Sequence, residues 1–210
     1  MNWRTAVFVC VLALSGTAAA ELTEGRDYVQ IDPVPAGTGE RIEVIEFFFY
    51  GCETCYRIEP MLRDWVLQRE SLIDFKLMPA LRRSAWIPLS DLFFSLHALG
   101  LLPRFHDQVY IAIHEQGRRL TSRREQVKWA VDNGIDEAVF ENTVESDAVA
   151  IATQRARDAT VAYGIRVTPS IVVDGRYLTT GAMIGNASRV SPVLDQLLEL
   201  ASATRSGIAR

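Results

Sequence analysis

The stretch Arg41-Ile-Glu-Val-Ile-Glu-Phe-Phe-Phe-Tyr-Gly-Cys-Glu-Thr-Cys55 decides how this chain reads. Arg41 to Phe49 is apolar on both alternating faces, the pattern of a strand buried in the centre of a sheet. Gly51 breaks it. Beyond Cys55, Ile58, Met61, Leu62, Trp65 and Val66 recur on one face of a helix. Cys52 and Cys55 therefore lie where a buried strand ends and a helix begins. Free amides and the helix dipole stabilise an anion there. A thiol in that position has a lowered pKa, and its thiolate is the nucleophile of disulfide exchange. Cys52, at the helix start, is expected to be the exposed attacking sulfur. Cys55, one turn in, is expected to be buried and to resolve the mixed disulfide.

On the N-terminal side, Glu21 to Gly39 is a polar lead with a short extended piece, Tyr28 to Ile31, cut off by Pro33 and Pro35. On the C-terminal side, Asp74 to Met78 reads as a short strand ended by Pro79. From Ile87 to Tyr163 the periodicity is helical. Segments Pro88 to Leu99 and Arg104 to Gln116 end at Gly100 and Gly117. Ser122 and Glu125 form a capping-box pattern opening a helix that stops at Gly134. Asp136 to Val144 is shorter, and Ser146 caps a helix running to Tyr163. Strand signals return at Ile171 to Leu178, with Asp174-Gly175 as a two-residue hairpin turn. A loop holding Gly181 and Gly185 leads to a last helix carrying Val193, Leu194, Leu197, Leu198 and Leu200. The order is an α/β fold in which strands on both sides of the helical block share one sheet, and the block is an insertion.

The first twenty residues have the form of a secretory signal peptide: Arg4, an apolar run from Ala6 to Leu14, and Ala18-Ala19-Ala20 before Glu21. The competing reading is a retained anchor. Cleavage would discard Cys10 and leave 190 residues with 21 basic and 26 acidic side chains, a net charge near −5. That balance argues against nucleic acid or an anionic membrane as the main partner. No later apolar run is long enough for a transmembrane helix.

The remaining two cysteines close a tiny loop, where a structural bridge gains little. A zinc site needs about four ligands. One Cys-x-x-Cys supplies two, and His97, His106 and His114 are spaced without a shared face, so no metal is expected. The histidines read as ordinary residues of the helical block. Glu46 lies in the apolar strand on the face of Val44 and Phe48. Desolvation there would raise its pKa and suit it to relay the proton of exchange. The alternative has it facing water or pairing with Lys76 or an arginine. Pro169 stands immediately before a strand of an apparently central hairpin, where an ordinary proline is excluded. A cis Thr168–Pro169 bond accounts for it and lets Thr168 offer its backbone to an extended peptide; the alternative is a trans proline that simply opens the strand.

With these residues in view, the chain resembles the DsbA-like thiol–disulfide interchange proteins of the bacterial periplasm. Glu46-Phe-Phe-Phe-Tyr-Gly-Cys-Glu-Thr-Cys-Tyr56 is similar to that family's active-site stretch. Gly164-Ile-Arg-Val-Thr-Pro-Ser170 is similar to its cis-proline loop. The resemblance implies a thioredoxin-like fold with an inserted all-helical subdomain, divided here as residues 21–86, 87–145 and 146–210 after a signal peptide at 1–20. It implies a periplasmic enzyme that gives its disulfide to newly exported, unfolded polypeptides and is reoxidised by a DsbB-type membrane partner; no cofactor is expected, and nothing in the sequence demands more than a monomer. It also implies catalytic roles for Cys52, Cys55 and Glu46, and substrate binding at Thr168 and Pro169.

One departure concerns Glu53-Thr54, which stands where the family usually has Pro-His. Thr54 supplies no cation, and Glu53 brings a like charge near the thiolate. The pair is expected to make the disulfide less oxidising. A reductase or isomerase with a dedicated client, and a non-catalytic peptide-binding module, are the competing readings.

Overall fold

The computed structural model describes residues 21–32, 34 and 39–207. The signal peptide assigned to residues 1–20, with Cys10, lies outside them, as do Pro33 and Pro35. Among the described residues the strands are β1 (Val29–Gln30), β2 (Ile42–Phe48), β3 (Ile73–Pro79), β4 (Ser170–Val173) and β5 (Tyr177–Thr180). The helices are α1 (Glu53–Leu67), α2 (Ile87–Ala98), α3 (Leu102–His114), α4 (Arg123–Asp132), α5 (Glu137–Val144), α6 (Asp147–Ala162), α7 (Gly181–Ile184) and α8 (Val190–Arg205). The strands form one sheet in the order β1-β5-β4-β2-β3. Strand β2 runs parallel to β3 and antiparallel to β4.

Every residue of β2 is buried, because the strand has neighbours on both edges and packed layers on both faces. Val44 packs with α1 and α8, beside Ile58, Leu62, Trp65, Val193 and Leu197. Ile45 and Phe47 face the other way, onto Tyr163 and Ile165. At its end β2 delivers Phe48 into a second core built from α2 to α5. Phe48 meets Tyr50, Phe93 and His106 edge-on, with ring centroids 5.1, 5.3 and 5.4 Å away. The helical block is thus welded to the sheet at the residues that precede the cysteine pair.

Most of the helix boundaries follow their caps. Ser122 and Glu125 satisfy one another's backbone donors as a capping box, and the Ser146 side chain accepts from the Val149 amide. Helix α6 lies along α2, where Thr153 donates to Asp91 at 2.7 Å. Two sequence expectations need correction. The ladder pairs Val173 with Tyr177, so the hairpin loop includes Arg176 as well as Asp174 and Gly175. The last two sit at φ +55° and +63°, and the extra residue lets the loop reach the N-terminal segment, where the Ile31 amide donates to Arg176. The segment expected as a loop at Gly181 is the single-turn helix α7, capped by the Thr180 side chain accepting from the Met183 amide.

Phe48 has the packing role of a buried aromatic shared by two layers. Phe48→Ala is expected to lower the unfolding free energy by about 3–5 kcal/mol, measured by urea denaturation. A loss below about 1 kcal/mol would show that the sheet and the helical block do not depend on this contact.

Candidate active site

Cys52 is the N-cap of α1, and its Sγ accepts from the amide of Cys55 at 3.2 Å. The residue is extended (φ −92°, ψ 111°), as an N-cap must be to turn its side chain back over the first turn. The preceding turn is closed by the Cys52 amide donating to the Phe49 carbonyl at 2.8 Å. Cys52 is half-buried, whereas Cys55, one turn into the helix, is 0 % exposed. Both are free thiols.

The two sulfurs therefore have opposite electrostatics. Hydrogen bonding from Cys55, from the Thr168 side chain and from the amides of Cys55 and Thr54 outweighs burial and brings the Cys52 thiol down to about 6. One contact works the other way: the neutral thiol donates to the Thr168 carbonyl at 3.3 Å, an oxygen that can only accept. The donors prevail in number. Burial first, then the bond to Cys52 and the charge of Glu46, push the Cys55 thiol far above its ordinary value.

Thr168 reaches Cys52 from the loop before β4, the strand that pairs with β2. The Thr168–Pro169 bond is cis and leads directly into β4. Gly181 donates its amide to the Pro169 carbonyl at 3.0 Å. A Cβ on Gly181 would lie 3.0 Å from both Pro169 Cδ and Thr54 Cγ2, so a larger residue here would push α7, the proline loop and the start of α1 apart by a few tenths of an ångström. Sequence reading saw Gly181 as a loop residue and missed this close approach.

Glu46 is 0 % exposed, and neither of its carboxyl oxygens has a hydrogen-bond partner. Lys76 does not reach it; that ammonium binds Glu43 at 2.5 Å and Asp74 at 3.4 Å. Burial, then the charges of Glu59 and Cys52, raise the Glu46 carboxyl well above the usual range. Glu53 is exposed, with its carboxylate 3.8 Å from Arg57. Thr54 contributes its amide to the sulfur and its methyl to Gly181.

Two of the three histidines, His106 and His114, also contact the residues around the cysteine pair. His114 Nε2 donates to the Tyr50 carbonyl at 2.7 Å, and its ring stacks on Tyr56 with centroids 5.0 Å apart and planes 3° from parallel. The Tyr56 hydroxyl binds Glu115. His106 Nδ1 lies 2.9 Å from the Tyr50 hydroxyl. The end of α3 thus clamps both the turn before Cys52 and the first turn of α1. Spacing could not reveal this, because the contacts depend on how α3 docks.

Comparison with known proteins agrees with this architecture. The family model described as the DSBA-like thioredoxin domain matches residues 68–197. The thiol:disulfide interchange protein DsbA of Bordetella parapertussis is 34% identical over 204 residues, covering 93% of this chain and 97% of that protein. This chain belongs to the DsbA-like family. The protein of the same name from Azotobacter vinelandii is 31% identical over 196 residues, covering 93% of this chain and 92% of its own length. The crystal structure of Pseudomonas aeruginosa DsbA superposes with a TM-score of 0.82 at 29% identity, covering 88% of this chain and 97% of that one. The α/β class, the thioredoxin-like sheet and the inserted helices are those of the family.

The geometry around the sulfurs fixes a pH-dependent outcome. Alkylation of the reduced protein by iodoacetamide is expected to modify Cys52 alone. Its rate should rise through about pH 6 and level off above, because only the thiolate reacts. Mass mapping that finds Cys55 labelled first, or a rate that climbs only above pH 8, would overturn the assignment.

Proposed function

We propose that this DsbA-like oxidoreductase, exported to the periplasm after loss of residues 1–20, passes its Cys52–Cys55 disulfide to thiols of newly exported, unfolded polypeptides. A DsbB-type membrane protein would then reoxidise it. The observation that carries the reading is the pairing of a half-buried, helix-capping Cys52 with a fully buried Cys55 beneath it. Only one sulfur can be reached, and it is the one whose thiolate is stabilised.

A client thiolate attacks Cys52 Sγ, and the Cys52–Cys55 bond breaks. Cys55 leaves with the electron pair and takes a proton, for which the buried carboxyl of Glu46 is the proposed donor. A second client thiol gives up its proton and attacks the client sulfur of the mixed disulfide. The client disulfide forms and Cys52 departs as the thiolate. The client has lost two electrons and the cysteine pair has gained them. During the mixed-disulfide stage Thr168 and Pro169 are the proposed rest for the client backbone, supported by the closeness of the Thr168 carbonyl to Cys52. In this reading the helical stretch 87–145 is an inserted subdomain, and the chain acts as a monomer.

The couple becomes more oxidising as the reduced form is stabilised. A Cys52 thiol at about 6 lies between the roughly 7 of thioredoxin and the roughly 3.5 of the strongest oxidant of this kind. The reduction potential is accordingly expected between about −270 and about −120 mV. The purified protein should oxidise a dithiol peptide, and Glu53-Thr54 replaced by Pro-His should shift the potential upward. A potential at or below thioredoxin's, with insulin reduced faster than dithiols are oxidised, would favour the reductase reading instead. Inactivity in both assays would leave only a peptide-binding module.

A further inference from the structure

The loop from Ala80 to Trp86, which joins β3 to α2, plays no part in the exchange steps above, yet it touches both segments that flank the reactive cysteine. The Ala80 amide donates to the Phe48 carbonyl at 2.7 Å, and the Leu81 amide to the Thr160 hydroxyl at 3.0 Å. The loop is thereby tied to the end of β2 and to α6. At its far end the Trp86 ring stacks on Phe49, with centroids 4.2 Å apart and planes 8° from parallel. Phe49 is the residue whose carbonyl accepts from the Cys52 amide. Between these anchors stand Arg82 and Arg83, both exposed.

The Arg82 guanidinium donates to the carbonyl of Arg166. Arg166 is itself exposed and stands two residues before Thr168. Two steps of the chain put the Cα atoms of Arg166 and Thr168 no more than about 7.6 Å apart, about one screening length at physiological salt. The Thr168 carbonyl in turn lies 3.3 Å from Cys52 Sγ. Three cationic side chains thus gather on the loop that leads to the reactive sulfur. Among the described residues none of the three forms an ion pair, whereas Arg63, Arg69, Arg189 and Arg205 are each held by a carboxylate. Val167, between Arg166 and Thr168, is 49 % exposed and offers an apolar contact beside them. On the helix side of Cys52, the exposed carboxylate of Glu53 lies beside Arg57.

We propose that Arg82, Arg83 and Arg166 form a cationic rim that selects clients carrying acidic residues beside the cysteine being oxidised. The proposal deepens the reading of the site as one that takes exported polypeptides at Thr168, and it rests on that reading. An extended client segment laid along Val167 and Thr168 runs past the contact between Arg82 and Arg166, so carboxylates a few residues from its cysteine come near the three guanidiniums. The planar guanidinium fork matches a carboxylate. Exposed charges of one sign raise the local concentration and the encounter rate of an oppositely charged partner more than they raise its final affinity. The chain as a whole carries a net charge of −4, which repels acidic segments elsewhere and leaves the rim as their place of approach. The anchors of the loop fix Arg82 before a client arrives, so little ordering is left to be done on binding. An anionic membrane surface would meet the same charges, but it has no extended backbone to lay against Thr168.

The test uses dithiol peptides that differ only in the residues flanking their cysteines, all glutamate, all glutamine or all lysine, as reductants of the oxidised protein. The two thiols of the peptide become one disulfide, and the Cys52–Cys55 bond takes up the two electrons. Of the two protons released, one goes to Cys55 and one to water. Each rate is divided by that of the glutamine peptide, which cancels any change in the cysteine pair itself. The ratios are then compared between the wild type and a variant carrying Arg82→Gln, Arg83→Gln and Arg166→Gln, which cancels the effect of flanking charge on the peptide thiols. At about 20 mM salt the glutamate preference of the wild type should exceed that of the variant by roughly tenfold. The difference should shrink toward none at about 0.5 M salt, and the lysine peptide should show the opposite order. Should the triple variant fail to fold, Arg83→Gln with Arg166→Gln leaves Arg82 on the Arg166 backbone carbonyl and should lose most of the preference. No oxidation of any peptide by the wild type would overturn the oxidase reading and this proposal with it. Oxidation with equal preferences in wild type and variant, or a difference that salt leaves unchanged, would overturn the proposal alone. Sedimentation of the wild type but not the variant with phosphatidylglycerol vesicles, alongside equal peptide preferences, would overturn it in favour of a membrane surface.

Discussion

The first turn of α1 leaves backbone amides without partners inside the helix, and the side-chain acceptor provided for them is the sulfur of Cys52. A thiolate fulfils that task better than a thiol, because charge strengthens the hydrogen bond. Folding and redox chemistry therefore share one interaction. Ionising Cys52 improves the cap, and capping the helix lowers the proton affinity of Cys52. The remaining features of the site support that cap: the turn closed from the Phe49 carbonyl, the Thr168 side chain from the loop before the neighbouring strand β4, and Gly181 at the close approach.

What lies beneath the cap is equally constrained. Cys55 and Glu46 are both inaccessible, so proton movement near them runs through protein groups before it reaches water. Two cores meet here. One belongs to the sheet with α1 and α8, the other to the helical block, and Phe48 with Tyr50 joins them. The block consequently does more than roof the active site. Through His114 it holds the turn that presents Cys52, and through His106 it contacts the carboxylate of Glu59.

Much of this was legible in the sequence because it is local. The continuous apolar run of β2, the break at Gly51 and the stripe from Ile58 to Val66 place the cysteines at a strand–helix junction without any tertiary information. Pro169 before a central strand marks the cis bond for the same reason. What could not be read depends on docking. Glu59 looks like a solvent-facing carboxylate of an amphipathic helix until α3 covers it. His106 and His114 share no periodicity with the cysteines, and only the packing of α3 brings them to the turn. Glu53 was expected to oppose the thiolate through proximity in sequence. In the folded helix its carboxylate lies 3.8 Å from Arg57. The hairpin loop is one residue wider than its Asp-Gly signal suggests because the N-terminal segment pairs with it.

The two sulfurs divide their protons unequally: Cys52 is ionised above about pH 6, and Cys55 stays protonated far beyond neutrality. The pH dependence of the equilibrium reduction potential reads that division directly. Below about pH 6 reduction takes up two protons with two electrons, and the potential should fall by about 59 mV per pH unit. Above it only Cys55 takes a proton, and the slope should halve to about 30 mV. A break near pH 6 between those two slopes is the predicted result. A slope of about 59 mV held from pH 5 to 8 would mean that Cys52 keeps its proton and that the helix cap does not create the reactive thiolate.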